Sequence, residues 1–225
     1  MFIVIEGIDG CGKTTLVNRL KKELPNVVFL AEPTNVGYGK IIREESVSRV
    51  YRDYYREVGL FLADRLHDVT CNILPSLLEG KTVIMDRYIW SSIAYQGTGG
   101  IVSADPGHIT YWNKYFPIPD LIIYLRISAE VAAERRKKRG GVVDAFEKSH
   151  FGDLIAVYDS LAAINSDICR TIDGEQSEEE ILKEVLGMVG ECLAAHVEFR
   201  SQYPYSDVVD DTVLGGGLSR RIISG

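Results

Sequence analysis

Gly7-Ile8-Asp9-Gly10-Cys11-Gly12-Lys13-Thr14-Thr15 is the stretch on which the fold turns. An apolar, β-branched run (residues 2–6) precedes it and helical periodicity over residues 13–24 follows it. The order is therefore strand, glycine-rich loop, helix. The glycines let successive backbone N–H groups turn inward around phosphate oxygens, and the start of the helix adds partial positive charge. Lys13 is suited to bridging β- and γ-phosphates, and the Thr14 hydroxyl to helping hold Mg²⁺. A tight structural turn would account for the glycines but not for Lys13-Thr14-Thr15 beside them. Cys11 reads as a small spacer whose backbone N–H matters.

Working outward, short apolar runs at 27–31, 82–86, 121–127 and 169–172 repeat the strand signal of residues 2–6. Helical stretches at 50–78, 108–115, 129–139, 150–164 and 177–195 lie between or after them. This alternation predicts an α/β protein, an open five-stranded parallel sheet covered by helices on both faces. Ligands in such sheets sit beyond the carboxyl ends of the strands.

The bulk numbers narrow the partners. A 225-residue chain that is 46% hydrophobic and 25% charged has material for one large core. A net charge of −7 argues against a nucleic-acid-binding surface. The four cysteines form no C-x-x-C pair, which fits a reducing compartment. No apolar run approaches a membrane span, and MFIVIEGIDG lacks the basic start of a signal peptide. A cytoplasmic protein with small-molecule partners is the expectation.

The loop alone does not separate kinases, GTPases and motors. No Asn/Thr-Lys-x-Asp base-reading segment of a GTPase is present. Instead, Asp86-Arg87-Tyr88 ends the third strand run, with Ser91-Ser92-Ile93-Ala94-Tyr95-Gln96-Gly97 just after. A carboxylate there can help hold Mg²⁺, while a guanidinium can grip an acceptor phosphate bidentately. Phe61 and Arg65 lie four apart on a predicted helix and share a face, a flat ring and a directional donor that suit a planar base.

The glycine-rich loop, Leu60-Phe61-Leu62-Ala63-Asp64-Arg65, Asp86-Arg87-Tyr88, Ala94-Tyr95-Gln96-Gly97 and Pro119-Asp120-Leu121 together resemble the thymidylate kinase family of P-loop nucleoside-monophosphate kinases, over about residues 1–195. The resemblance implies transfer of the ATP γ-phosphate to dTMP, with Mg²⁺, in a homodimer. It implies that Gly7 to Thr15 hold the donor and that Asp9 also binds near the acceptor's 3′-hydroxyl. It further implies that Phe61 stacks on thymine, Arg65 bonds a base carbonyl, and Arg87 holds the acceptor phosphate. Ser92 or Gln96 would touch the base, and Tyr95 would crowd the sugar's 2′ position. A helical segment rich in tyrosine and leucine (50–78) is a plausible pairing surface.

Glu134-Arg135-Arg136-Lys137-Lys138-Arg139-Gly140-Gly141 is a dense basic run in an acidic chain. It predicts a mobile lid over about 134–148 that closes cations over phosphates and excludes water. In relatives with glycine at the position of Gly10, catalytic arginines usually come from this lid, which implies Arg135 and Arg139. The match then departs from the family: Asp144-Ala145-Phe146-Glu147 lacks an expected arginine, Arg126 replaces a frequent acidic residue, and Ala31 stands where many relatives carry arginine before Glu32-Pro33. These departures leave a different nucleotide or nucleoside acceptor, or a nucleotide-binding regulator without transfer activity, as alternatives. Residues 196–225, with three consecutive glycines, read as a surface tail with no assigned role.

Overall fold

The computed structural model describes residues 1–48, 53–98, 103–140 and 145–202. Five parallel strands, β1 (Phe2–Glu6), β2 (Val28–Ala31), β3 (Val83–Asp86), β4 (Leu121–Arg126) and β5 (Cys169–Asp173), form one sheet in the order β2-β3-β1-β4-β5. Every residue of β1 is buried. Ile3 and Ile5 face one core with residues of α1 (Lys13–Glu23), while Phe2 and Val4 face a second core with Val83, Met85 and Phe116. Period-2 alternation thus feeds two layers from one apolar strand, the arrangement a centrally placed parallel strand needs.

The strand expectations hold to within one residue at each end. The helices bring two corrections. The predicted 50–78 helix is α3 (Tyr54–Asp68), a π-helical turn Val69–Ile73 and α4 (Leu74–Leu78). Pro75 has no N–H for the carbonyl four residues back, so the ladder widens ahead of it. Two further helices, α2 (Gly37–Ser48) and α5 (Ile89–Gly97), lie in segments without a helical expectation. α2 opens on two glycines, one of which (Gly39) packs so closely on Thr34 that a Cβ would clash with its backbone. No local side chain caps α5; the Glu6 carboxylate does so by accepting from Tyr88 N (2.9 Å) and Ser91 N (3.2 Å). A cap drawn from 82 residues away leaves no local signature.

The remaining helices are α6 (Pro106–Asn113), α7 (Ala129–Lys138), α8 (Ala145–Ile164) and α9 (Glu178–Gln202). The boundary expected at 195 falls inside α9, and residues 203–225 of the expected tail lie outside the described residues. Residues 141–144 of the expected lid also lie outside them. The strand order splits the carboxyl edge. The loops after β2 and β3 stand on one side of the loop after β1, and those after β4 and β5 on the other. Two compartments therefore meet at residues 7–13.

Candidate active site

On the β4–β5 side, the glycine-rich loop borders a cavity of about 190 Å³ lined by Gly12, Thr15, Arg19, Arg135, Arg139 and Gln176, among others. Gly7, Gly10 and Gly12 all have left-handed φ (144°, 87° and 106°). At Gly7 a Cβ would stand 2.6 Å from Leu125 O and 2.8 Å from Cys11 Sγ, so glycine is required there by space as well as by conformation. No side chain caps the start of α1, which leaves its N–H groups for an anion. Lys13 is buried, its Nζ donating to Gly7 O and Ile8 O (2.9 Å each) and to Cys11 Sγ (3.5 Å).

On the β2–β3 side lies a larger pocket of about 720 Å³. Asp9, Arg87, Tyr95, Phe61, Gln96 and Glu32 are among its walls. Gln96 is buried, its amide N–H donating to Glu57 (3.4 Å), and its Oε1 has no hydrogen-bond partner among the described residues.

Arg87 joins the two compartments. Its Nη1 donates to Gly7 O (3.2 Å) and Ser91 Oγ (3.0 Å), and its Nη2 to Asp9. The guanidinium lies 5.0 Å over the Tyr95 ring, whose hydroxyl accepts from Asp9 N at 2.8 Å. Burial alone would raise the Asp9 carboxyl, but the charges of Arg87 and Lys13 and the Tyr95 hydroxyl together hold it below its ordinary value. Solvent reaches one side of Asp9, so this pair is screened more than a buried one.

Arg65 and Ser92 stand behind this pocket rather than in its lining. Arg65 is 1% exposed and donates to both oxygens of Glu32, to Asn113, to Tyr88 O (3.1 Å) and to Ser92 Oγ (3.0 Å). The neighbouring Asp64 accepts from Thr34 N (2.7 Å) and Thr34 Oγ1 (2.6 Å). One turn of α3 thus pins both sides of Pro33, whose peptide bond to Glu32 is cis. Burial pushes the Glu32 carboxyl up to about 7 against the lowering pull of Arg65.

In the basic run, Arg135 donates to Gly10 O (3.1 Å), Cys11 O (3.4 Å) and Gly174 O (3.0 Å), clamping the loop to the turn after β5. Arg139 borders the smaller cavity, while Arg136 borders the larger one. Asp86 Oδ1 is buried at the end of β3 with no hydrogen-bond partner among the described residues, and Thr14 is exposed at the first turn of α1. Among those residues, no three or more His, Cys, Asp or Glu cluster as a metal site. An orphaned carboxylate oxygen and a hydroxyl beside a phosphate cradle fit Mg²⁺, which takes few protein oxygens and completes its shell with phosphate and water.

The family profile described as Thymidylate kinase matches residues 5–185. The chain belongs to the thymidylate kinase family. It is 35% identical over 188 residues to a probable thymidylate kinase of Pyrobaculum aerophilum, covering 84% of this chain and 95% of that one. It is 38% identical over 188 residues to a thymidylate kinase of Akkermansia muciniphila, covering 81% and 88%. The crystal structure of thymidylate kinase from Ehrlichia chaffeensis superposes with a TM-score of 0.68 at 27% identity, covering 84% of this chain and 98% of that one. The thymidylate kinase fold, a P-loop α/β sheet, is thus shared along most of the chain.

Among the lining residues of the thymidylate kinase pocket that sequence reasoning missed, Arg43, Glu57, Arg136 and His150 carry polar or charged groups. Arg43 sits on the unanticipated α2 and is held by Thr34 O (3.1 Å) and Pro33 O. Nothing local distinguishes it from a surface arginine. Arg136 was visible as a charge in the run, but which arginine of a run faces which pocket depends on how α7 lies.

Proposed function

We propose that this protein transfers the γ-phosphate of ATP to dTMP, giving ADP and dTDP for dTTP synthesis. The observation that carries the reading is the Arg87 contact with Gly7 O and Asp9, which joins a phosphate cradle to a base-sized pocket. ATP lies along residues 7–15, its triphosphate wrapped by backbone N–H groups. Lys13 exchanges its loop carbonyls for β- and γ-phosphate oxygens. dTMP lies in the larger pocket, with Phe61 on its ring, Gln96 at its edge, Tyr95 and Asp9 at its sugar and Arg87 on its phosphate. Arg65 reaches a base carbonyl only if the base descends to the pocket floor; otherwise it acts by holding Glu32 and Ser92.

A dTMP phosphate oxygen forms the new bond to the γ-phosphorus while the bond to the ADP oxygen breaks. The attacking oxygen is already anionic near neutral pH, so no strong general base is needed. Catalysis is positioning plus charge stabilisation. Thr14 and Asp86 would hold Mg²⁺, which would supply charge neutralisation to the phosphates. Arg135 and Arg139 supply cations on the donor side.

In this reading the kinase domain spans 1–195 with its lid near 134–148, and 196–225 is a tail. The protein pairs as a homodimer through the α3–α4 face, where Tyr55, Leu66 and Leu78 are exposed. Four free cysteines suit a reducing compartment, and we assign the protein to the cytoplasm. The deciding experiment follows ADP formation with dTMP, dUMP, UMP, CMP and AMP offered separately. A dTMP preference, with turnover lowered by roughly 10²–10³ in Lys13→Ala and in Arg87→Ala, upholds the assignment; turnover with another acceptor, or none, sinks it.

A further inference from the structure

We propose that Glu6 is the positioning residue for the Arg87 phosphate grip, acting through the Ser91 hydroxyl, with Tyr158 of α8 completing the relay. The inference rests on the reading of Arg87 as the ligand of the acceptor phosphate. Glu6, the last residue of β1, is 1% exposed, a carboxylate at the end of an otherwise apolar strand. An acidic group buried there needs donors on every lone pair, and it has four. Oε1 accepts from Tyr88 N (2.9 Å) and Ser91 N (3.2 Å), and Oε2 from Ser91 Oγ (2.7 Å) and Tyr158 Oη (3.1 Å).

Proton counting gives the relay its direction. The Ser91 hydroxyl has one hydrogen. Spent on Glu6 Oε2, it leaves the Ser91 lone pairs to accept from Arg87 Nη1 at 3.0 Å. A carboxylate, which only accepts, therefore turns Ser91 into an acceptor aimed at the guanidinium. Glu6 also holds the backbone. Arg87 is the one described non-glycine residue with positive φ (69°), and the next N–H, that of Tyr88, ends on Glu6 Oε1. That turn carries β3 into α5 and sets where the Arg87 side chain starts. Tyr158, stacked on Tyr124 with centroids 5.4 Å apart, adds its hydroxyl 2.9 Å from Ser91 Oγ.

In Glu6→Gln an amide N–H₂ replaces one acceptor. Facing Ser91 and Tyr158, it makes the hydroxyls turn to accept from it and weakens the charge-assisted hold on Arg87. The test compares dTMP with thymidine, which lacks the phosphate, by calorimetry on wild type, Arg87→Ala, Ser91→Ala, Glu6→Gln and Tyr158→Phe, with ATP affinity read on each. Ser91→Ala and Glu6→Gln are expected to weaken dTMP roughly 10-fold while leaving thymidine and ATP unchanged. Their double variant should be no worse than the weaker single, and Tyr158→Phe should weaken dTMP roughly 3-fold. Equal losses for dTMP and thymidine, or dTMP affinity kept within roughly twofold, overturn the proposal. If Arg87→Ala itself leaves the dTMP–thymidine difference intact, the acceptor-site reading has failed and the relay falls with it. Should Glu6→Gln not fold, Ser91→Ala and Tyr158→Phe decide by the same comparison.

Discussion

Arg65 on α3 and Glu32 after β2 close on each other at the base of the larger pocket, Nε donating to both carboxylate oxygens and neither side chain more than 2% exposed. Above about pH 7, where Glu32 is ionised, breaking one half of such a pair leaves an uncompensated buried charge. Arg65→Ala should destabilise the protein by about 3–5 kcal/mol. Arg65→Met combined with Glu32→Gln should recover part of that loss. Urea unfolding of the two variants checks it; equal destabilisation would mean the pair contributes by packing alone.

Glu32 also sets a pH dependence. Its folded-state pKa is raised from 4.5 to about 7 by burial, so between those values the folded protein holds a proton that the unfolded chain has released. Stability therefore falls as pH rises from about 4.5 to about 7 and is level above. Glu32→Gln should flatten that slope in melts taken from pH 5 to pH 8. An unchanged slope would assign the dependence to other groups.

Lys13→Ala and Arg87→Ala should each lower kcat by roughly 10²–10³. The two should differ in binding, Lys13→Ala weakening ATP and Arg87→Ala weakening dTMP. Steady-state kinetics with each substrate varied in turn separates these outcomes.

Asp86→Asn should raise the Mg²⁺ concentration needed for half-maximal rate, because the orphaned Oδ1 loses its charge. A Mg²⁺ titration of the initial rate reads this directly. An unchanged requirement would return Asp86 to a purely structural role.

Gly7→Ala should abolish ATP binding and destabilise the fold by about 1–3 kcal/mol. Its Cβ would meet Leu125 O at 2.6 Å while the backbone stays at φ 144°. Gly12→Ala, equally left-handed but with open space around its Cβ, should fold better and so separates conformation from collision.

The five strands, the phosphate cradle and the family were legible in the sequence. β1 announces itself by four consecutive residues that favour burial, Phe2 to Ile5, and the loop by glycines at spacings suited to a phosphate cradle. Phe61, Tyr95, Gln96 and Arg87 were legible as a set because short motifs carried them, and the structure brings these four to one pocket. Such signals are local: propensity, periodicity and motif spacing are properties of neighbours along the chain.

What the tertiary structure decided is which groups pair once distant segments meet. The α5 cap comes from Glu6, Arg65 turns inward to Glu32, and Arg135 and Arg136 part toward different compartments. Each depends on a polar group left unsatisfied until a strand or helix dozens of residues away arrives beside it. A buried charge takes the best partner that the assembled fold offers, and no reading of its own neighbours along the chain can name that partner.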